Sequence, residues 1–178
     1  VAAAITRGDI IIENIVPDHL KPVTAKLRES GAEISEELTS VRVKGNRIDP
    51  VDIKTHPYPG FPTDMQSQIT SLLSVACGTS MVVETIFENR FMHVCELKRM
   101  GANIKVEGRS AIIEGCSRLS GTKVKATDLR AGAALILAGL CAEGTTEILD
   151  IEHVDRGYLR IDEKLKRLGA VISRSDDE

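Results

Sequence analysis

Two carboxylates in this 178-residue chain stand where helices are expected to begin, and arginines lie close by. Asp64 follows the run His56-Pro57-Tyr58-Pro59-Gly60-Phe61-Pro62-Thr63, and Asp128 sits in Ala126-Thr127-Asp128-Leu129-Arg130. A carboxylate so placed can take a substrate proton, provided the proton comes within hydrogen-bond reach. The plain alternative is structural, since an acidic residue in a first helical turn gains about 0.3–1 kcal/mol from the helix dipole. Three prolines between His56 and Gln66 stiffen the approach to Asp64 more than a cap requires. Asp128 and Arg130 are close enough to pair with one another on a first turn.

Two further arginines fall in loops. Arg90 lies in Glu88-Asn89-Arg90, after an expected strand over 79–85, and Arg156 lies in Asp155-Arg156-Gly157, after an expected strand over 145–151. Loops that follow strands in α/β proteins commonly carry ligand contacts. Two guanidiniums from equivalent loops would suit one anion, because their fork of donors matches phosphate or carboxylate oxygens. Each arginine alone reads as a surface ion pair. His19, His56, His93 and His153 show no metal-ligand spacing, and neither a Gly-rich phosphate loop nor a Ser-His-Asp arrangement is present.

The elements that must position these groups repeat. Met65, Ile69, Leu72, Leu73 and Ala76 match Leu129, Ala133, Ile136, Leu137 and Leu140 at an offset of 64 (129 − 65). Both sets trace one helical face. Each helix begins Thr-Asp, with the threonine able to cap and the aspartate favoured by the dipole. Each ends near a glycine, Gly78 or Gly144, and a β-branched strand follows. A second amphipathic helix then runs into Gly-Ala and another strand, at Gly31-Ala32, Gly101-Ala102 and Gly169-Ala170, with Val171-Ile172 opening the last of these strands. The spacing is 70 and then 68 residues (101 − 31, 169 − 101). Units of that size suit a βαβαββ arrangement with crossover helices, which makes this a pseudo-threefold α/β domain. Val1 to Gly8 aligns with the last turns of the two matched helices, so the first repeat is expected to be truncated and the chain to be part of a longer protein.

Composition narrows the function classes. Aromatic residues are only 3% against 42% hydrophobic, so the core is aliphatic and Ala/Gly-lined, as close helix–sheet packing requires. The net charge of −3, without a basic run, argues against nucleic-acid binding, and no apolar run reaches the ~18 residues of a membrane span. Cys77, Cys95, Cys116 and Cys141 form no CxxC pair, which points to a reducing, cytoplasmic protein without zinc or disulfides. Cys77 and Cys141 read as small buried hydrophobes. Loop-placed Cys116 is the best candidate for a reactive thiol. The tail Ser175 to Glu178 reads as poorly ordered.

Four stretches carry a resemblance: FPTDMQ, TIFENRFMHV, ATDLRAGAALILAGL and HVDRGYLRIDEKLKRLGA. They resemble the UDP-N-acetylglucosamine 1-carboxyvinyltransferase family (the UDP-N-acetylglucosamine enolpyruvyl transferases), and the likeness covers essentially the whole chain. The resemblance implies the enolpyruvyl transferase fold, an inside-out α/β barrel-like domain of three βαβαββ-type repeats. Residues 1–178 would be one of two domains, the C-terminal part of the parent chain, with the active site in the cleft between them. The implied reaction moves the enolpyruvyl group of phosphoenolpyruvate to the 3-hydroxyl of UDP-N-acetylglucosamine, releases phosphate and commits the sugar to peptidoglycan. Carried over, Asp64 is the general base at that hydroxyl, and Thr63 and the backbone at Ile86 touch the UDP-sugar. Arg90, Arg130 and Arg156 steady phosphoenolpyruvate and the tetrahedral intermediate, while Asp128 helps place Arg130. No metal or organic cofactor is implied. The family's reactive cysteine belongs to a mobile loop of the other domain, and none of the four cysteines here matches it. Two competing readings stand beside this one: a non-catalytic repeat module whose Thr-Asp starts are only caps, and a shikimate-phosphate enolpyruvyl transferase, which shares the fold.

Overall fold

The computed structural model describes residues 1–175; most of the tail read as poorly ordered, 176 onward, lies outside the described residues. The first unit runs α1 (Ala2–Thr6), β1 (Asp9–Glu13), a 3-10 turn (Pro17–Leu20), α2 (Lys21–Glu29), β2 (Glu33–Glu36) and β3 (Ser40–Lys44). The second runs β4 (Ile53–Lys54), a 3-10 turn (Thr63–Met65), α3 (Gln66–Leu73), β5 (Thr79–Val83), α4 (His93–Arg99), β6 (Asn103–Glu107) and β7 (Ser110–Glu114). The third comprises β8 (Lys123–Lys125), α5 (Leu129–Cys141), β9 (Glu147–Leu149), α6 (Glu152–Asp155) and α7 (Ile161–Arg167).

The second unit shows the full βαβαββ pattern. Its sheet has the order β4-β5-β7-β6, with β4 and β5 parallel around the α3 crossover and the other pairs antiparallel. The first unit repeats this order as β1-β3-β2, without a described equivalent of β4. The third contributes the parallel pair β8-β9 around α5.

The recurrent Gly-Ala pairs have a local cause. Gly31, Gly101 and Gly169 take φ of 97°, 94° and 96°, the left-handed region that a side chain disfavours. The next alanine turns its N–H back to a leucine carbonyl: Ala32 to Leu27, Ala102 to Leu97 and Ala170 to Leu165, each at 3.0 Å. That is the six-to-one bond of a Schellman ending, which closes the helix and launches the chain outward.

One expectation is overturned here. Val171-Ile172 forms no strand, and Val171 is fully exposed. In the complete unit β6 reaches the sheet only through β7, which lies between it and β5. Among the described residues nothing occupies the corresponding place beside β9, so an extended segment there finds no ladder to join. Among the described residues the third repeat, like the first, forms only part of the pattern. Arg174 anchors the segment instead, forking onto Asp155 at 2.8 and 2.5 Å and reaching Asp162 at 3.1 Å.

The two central helices, α3 and α5, lie inside, while α7 has no buried residue. All eight residues of α3 are buried, and so is most of the first three turns of α5. Strands β3 and β7 alternate buried and open positions. The two central helices approach closely enough for the Ser71 hydroxyl to donate to the Ala134 carbonyl at 2.8 Å. Gly132 lets α6 in as well, since a Cβ at that position would stand 2.3 Å from a Val154 methyl. Small residues on buried helices thus explain how so few aromatics suffice.

The cysteines depart from expectation. Cys77 is exposed, because α3 ends before it and the chain there is already a loop, and Cys141 is only half-buried at the end of α5. Burial still pushes the Cys141 thiol up to about 11, well away from the thiolate a nucleophile needs. The single S–H of Cys116 lies within reach of two acceptors, the Ser74 and Arg118 carbonyls at 3.2 and 3.1 Å. Among the described residues no helix is long and apolar enough to cross a membrane.

Candidate active site

The crossovers explain where the chemistry gathers. Parallel strands joined through a helix place the helix start, and the loop after the second strand, at the same C-terminal sheet edge. In the second and third units that edge carries the starts of α3 and α5 together with the loop 84–92 and the segment 150–160, which contains α6. Packing of α3 on α5 then brings the two helix starts side by side.

The two Thr-Asp starts have diverged. Asp128, in extended conformation, caps α5 by accepting the N–H groups of Arg130 (2.8 Å) and Ala131 (3.0 Å) on Oδ1. Asp64 caps nothing, because a 3-10 turn precedes α3 there. Its Oδ1 accepts instead from Arg130 Nε at 2.6 Å and Nη2 at 2.5 Å. Arg130 therefore joins both aspartates, by its backbone to one and its side chain to the other, rather than pairing side chain to side chain with Asp128. Neither threonine caps its helix as expected: the Thr63 hydroxyl donates to Glu84 Oε2 at 2.8 Å, and Asp128 does the capping in the other repeat. The Asp64 side chain is 64% exposed, so this pair contributes little stability, roughly 0–1 kcal/mol. The pair holds the Asp64 carboxylate through Oδ1 and leaves Oδ2 outside it.

The other two arginines occupy neighbouring loops without touching Asp64. Arg90 follows Asn89, which takes a left-handed turn (φ 55°), and its guanidinium lies 4.4 Å from the centre of the Phe87 ring. Arg156 ends α6. The next residue, Gly157, presses on Leu129, since a Cβ there would come within 2.9 Å of the leucine δ-carbons. Arg156 thus sits beside the start of α5. Arg174 steadies this corner through Asp155, whose carboxyl its hydrogen bonds hold below the usual carboxylate range. Among the described residues neither Arg90 nor Arg156 is engaged in an ion pair. The structure brings Asp64, Asp128 and Arg130 into direct contact and leaves Arg90 and Arg156 on flanking loops of the same edge.

Residue-by-residue reading missed Glu84. This carboxylate, 1% exposed at the end of β5, accepts four hydrogen bonds. Oε1 receives the Thr55 hydroxyl (2.9 Å) and the Ile86 and Phe87 N–H groups (2.8 and 3.2 Å), while Oε2 receives Thr63. The Thr55 hydroxyl accepts the Thr85 N–H at 2.8 Å, which knots the strand end to the loop. With its N–H engaged, Ile86 can offer a ligand only its carbonyl. The acid is visible in the sequence as Val83-Glu84-Thr85, but nothing local signals its burial. Thr63 and Ile86 also line a mainly apolar hollow of about 250 Å³ with His19, His56, Tyr58 and Pro62. A second hollow of about 290 Å³ lies far from this chemistry, over β2 and β3, where Lys44 pairs with Glu33 and Arg42 with Asp9 on a solvated strand face.

Beneath the helix starts lies His93, 1% exposed, with Nδ1 3.3 Å from the Ser67 hydroxyl. Burial pushes its pKa down to about 4, partly opposed by the charge of Asp128. The unfolded chain binds this proton near the ordinary value of 6.5 and the folded protein does not, so stability falls as pH drops from about 6.5 towards about 4. The expected loss is on the order of 3 kcal/mol, fully developed below about pH 4. Urea unfolding at pH 7 and pH 4.5 should show most of this loss for the natural protein and a much smaller one for His93→Phe. Equal losses in both would clear His93 of the effect.

Comparison with known proteins places this chain among the enolpyruvyl transferases. The family described as EPSP synthase (3-phosphoshikimate 1-carboxyvinyltransferase) matches residues 1–165. The UDP-N-acetylglucosamine 1-carboxyvinyltransferase 1 of Caldanaerobacter subterraneus subsp. tengcongensis is 64% identical over 175 residues, covering 98% of this chain and 42% of that protein. A UDP-N-acetylglucosamine 1-carboxyvinyltransferase of Desulfofundulus thermocisternus is 60% identical, with 98% of this chain and 72% of that protein covered. The crystal structure of the enolpyruvyl transferase NikO from Streptomyces tendae superposes with a TM-score of 0.87 at 27% identity, over 97% of this chain and 42% of that one. EPSP synthase from Acinetobacter baumannii shares the fold, with a TM-score of 0.79 at 21% identity over 98% of this chain and 44% of that one. The chain spans about two fifths of the length of most of these proteins.

Proposed function

Since the chain belongs to the UDP-N-acetylglucosamine 1-carboxyvinyltransferases, within the wider EPSP synthase family, we propose that its parent protein transfers the enolpyruvyl group of phosphoenolpyruvate to the 3-hydroxyl of UDP-N-acetylglucosamine and releases phosphate. Residues 1–178 are one of its two domains and supply one wall of a cleft. The product commits the sugar to peptidoglycan in the cytoplasm. The observation that carries this reading is the contact of Asp64 with Arg130 across two pseudo-equivalent helix starts, which sets a base beside an anion-binding group.

The roles follow from the chemistry of each group. Asp64 Oδ2 takes the proton of the sugar hydroxyl as its oxygen bonds to C2 of phosphoenolpyruvate, whose double bond breaks as C3 gains a proton. Loss of a C3 proton together with phosphate then restores the double bond in the product. Arg130 lies next to the base and stabilises the charge that develops on the phosphoenolpyruvate-derived centre. Arg90 and Arg156, without ion-pair partners among the described residues, close on the carboxylate and phosphate from flanking loops. Asp128 holds the Arg130 backbone and so fixes where its side chain starts. Thr63 and the Ile86 carbonyl contact the UDP-sugar beside the base. The other domain brings the loop with the reactive cysteine and most uridine contacts.

Phosphate release by the intact protein tests this directly. Release is expected with phosphoenolpyruvate plus UDP-N-acetylglucosamine and not with shikimate 3-phosphate, and the 178-residue chain alone should release none. Turnover of shikimate 3-phosphate in place of the UDP-sugar would overturn the substrate assignment.

A further inference from the structure

Glu84 faces the candidate site from behind, and its hydrogen bonds have a direction. Every group it binds is a donor: the Thr55 and Thr63 hydroxyls and the Ile86 and Phe87 N–H groups. A hydroxyl whose proton is held by a carboxylate has only lone pairs left for another partner. Thr63 is thereby fixed as an acceptor, and Ile86 keeps only its carbonyl. Asp64, the next residue after Thr63, adds a carboxylate oxygen that Arg130 does not contact. Thr63 and Ile86 line one hollow and Asp64 adjoins Thr63 in the chain, so a single buried acid and its neighbour leave three acceptors in this neighbourhood.

From this arrangement we infer that Glu84 is a specificity-determining positioning residue: it makes the edge formed by Thr63, Asp64 and Ile86 acceptor-only, and so selects a substrate that presents hydroxyl or amide N–H donors to it. The inference rests on the proposed reaction, in which the acceptor sugar carries such donors beside its reacting hydroxyl. A ligand offering an ether or carbonyl oxygen at the same place would meet lone pairs and no proton. Glu84 itself touches no substrate, being sealed behind Thr63 and the loop.

The substitution Glu84→Gln isolates this effect. Its carbonyl oxygen can still receive Thr55, Ile86 and Phe87, while its NH2 faces Thr63 and forces that hydroxyl to turn its proton outward. In the intact protein Glu84→Gln is expected to raise KM for the UDP-sugar about tenfold, the scale of one hydrogen bond. KM for phosphoenolpyruvate and the melting temperature should stay close to those of the natural protein. Thr63→Val should raise the same KM by a similar factor, and the double variant should be no worse than the poorer single one, because both act through one hydroxyl. A KM for the UDP-sugar within twofold of natural, or single effects that multiply in the double variant, would overturn the inference. So would a large fall in melting temperature for Glu84→Gln, which would make Glu84 a fold determinant only. Failure of the underlying reaction would show elsewhere, as absent phosphate release by the unsubstituted protein, whereas these outcomes are ratios between variants.

Discussion

Asp64→Asn in the intact protein is expected to lower kcat about a hundred- to ten-thousandfold, the range that a positioned general base contributes. Asparagine keeps the shape of aspartate and an oxygen that can still accept from Arg130. It cannot take a proton at neutral pH. The exposed ion pair it replaces contributes roughly 0–1 kcal/mol, so the melting temperature should move by no more than about 2–4 °C. Asp64 provides no helix cap whose loss could confound the result, since Asp128 alone has that task among the two. Steady-state phosphate release alongside thermal unfolding makes the measurement. A variant that keeps more than a tenth of the natural kcat would favour the reading in which these aspartates only shape helix starts.

Arg130→Lys carries the second large effect, a fall in kcat of about a hundred- to a thousandfold, comparable to removing one preorganised charge donor. Lysine retains the charge but not the fork, and its single nitrogen cannot reproduce the planar spread in which Nε and Nη2 face Asp64 while Nη1 stays available to an anion. The N–H of residue 130 still bonds Asp128 whatever the side chain, so α5 keeps its cap and the fold its stability. KM for phosphoenolpyruvate should rise together with the loss in kcat. Kinetics within tenfold of natural would show that charge alone suffices at this position and would remove the directional role assigned to the guanidinium.

These two residues also show how far residue patterns reach. Asp64 and Arg130 each stood out as members of a repeated Thr-Asp start, and the offset of 64 residues aligned their helices. Nothing in that alignment states that an arginine of one repeat reaches the aspartate of the other. Their contact spans 66 residues and exists because α3 packs on α5. Glu84 was overlooked for the same reason. Its partners lie 21 and 29 residues back along the chain, and an acid between Val83 and Thr85 looks like any strand-end carboxylate. The final strand was misjudged in the opposite sense, since Val171-Ile172 has the composition of a strand but no neighbour to pair with.

By itself the sequence determined the helices, their Gly-Ala endings, the βαβαββ period and the family, because each depends on spacings of a few residues or on long contiguous matches. Caps, left-handed glycines and helical faces act within one or two turns, so they are written where they operate. Tertiary structure alone decided which aspartate caps and which receives the Arg130 side chain, which carboxylate holds the Thr63 hydroxyl proton, and that His93 is buried deeply enough to stay neutral. Those outcomes arise from desolvation and from hydrogen bonds between segments distant in the chain, and neither exists until the two central helices and the surrounding sheets have closed on one another.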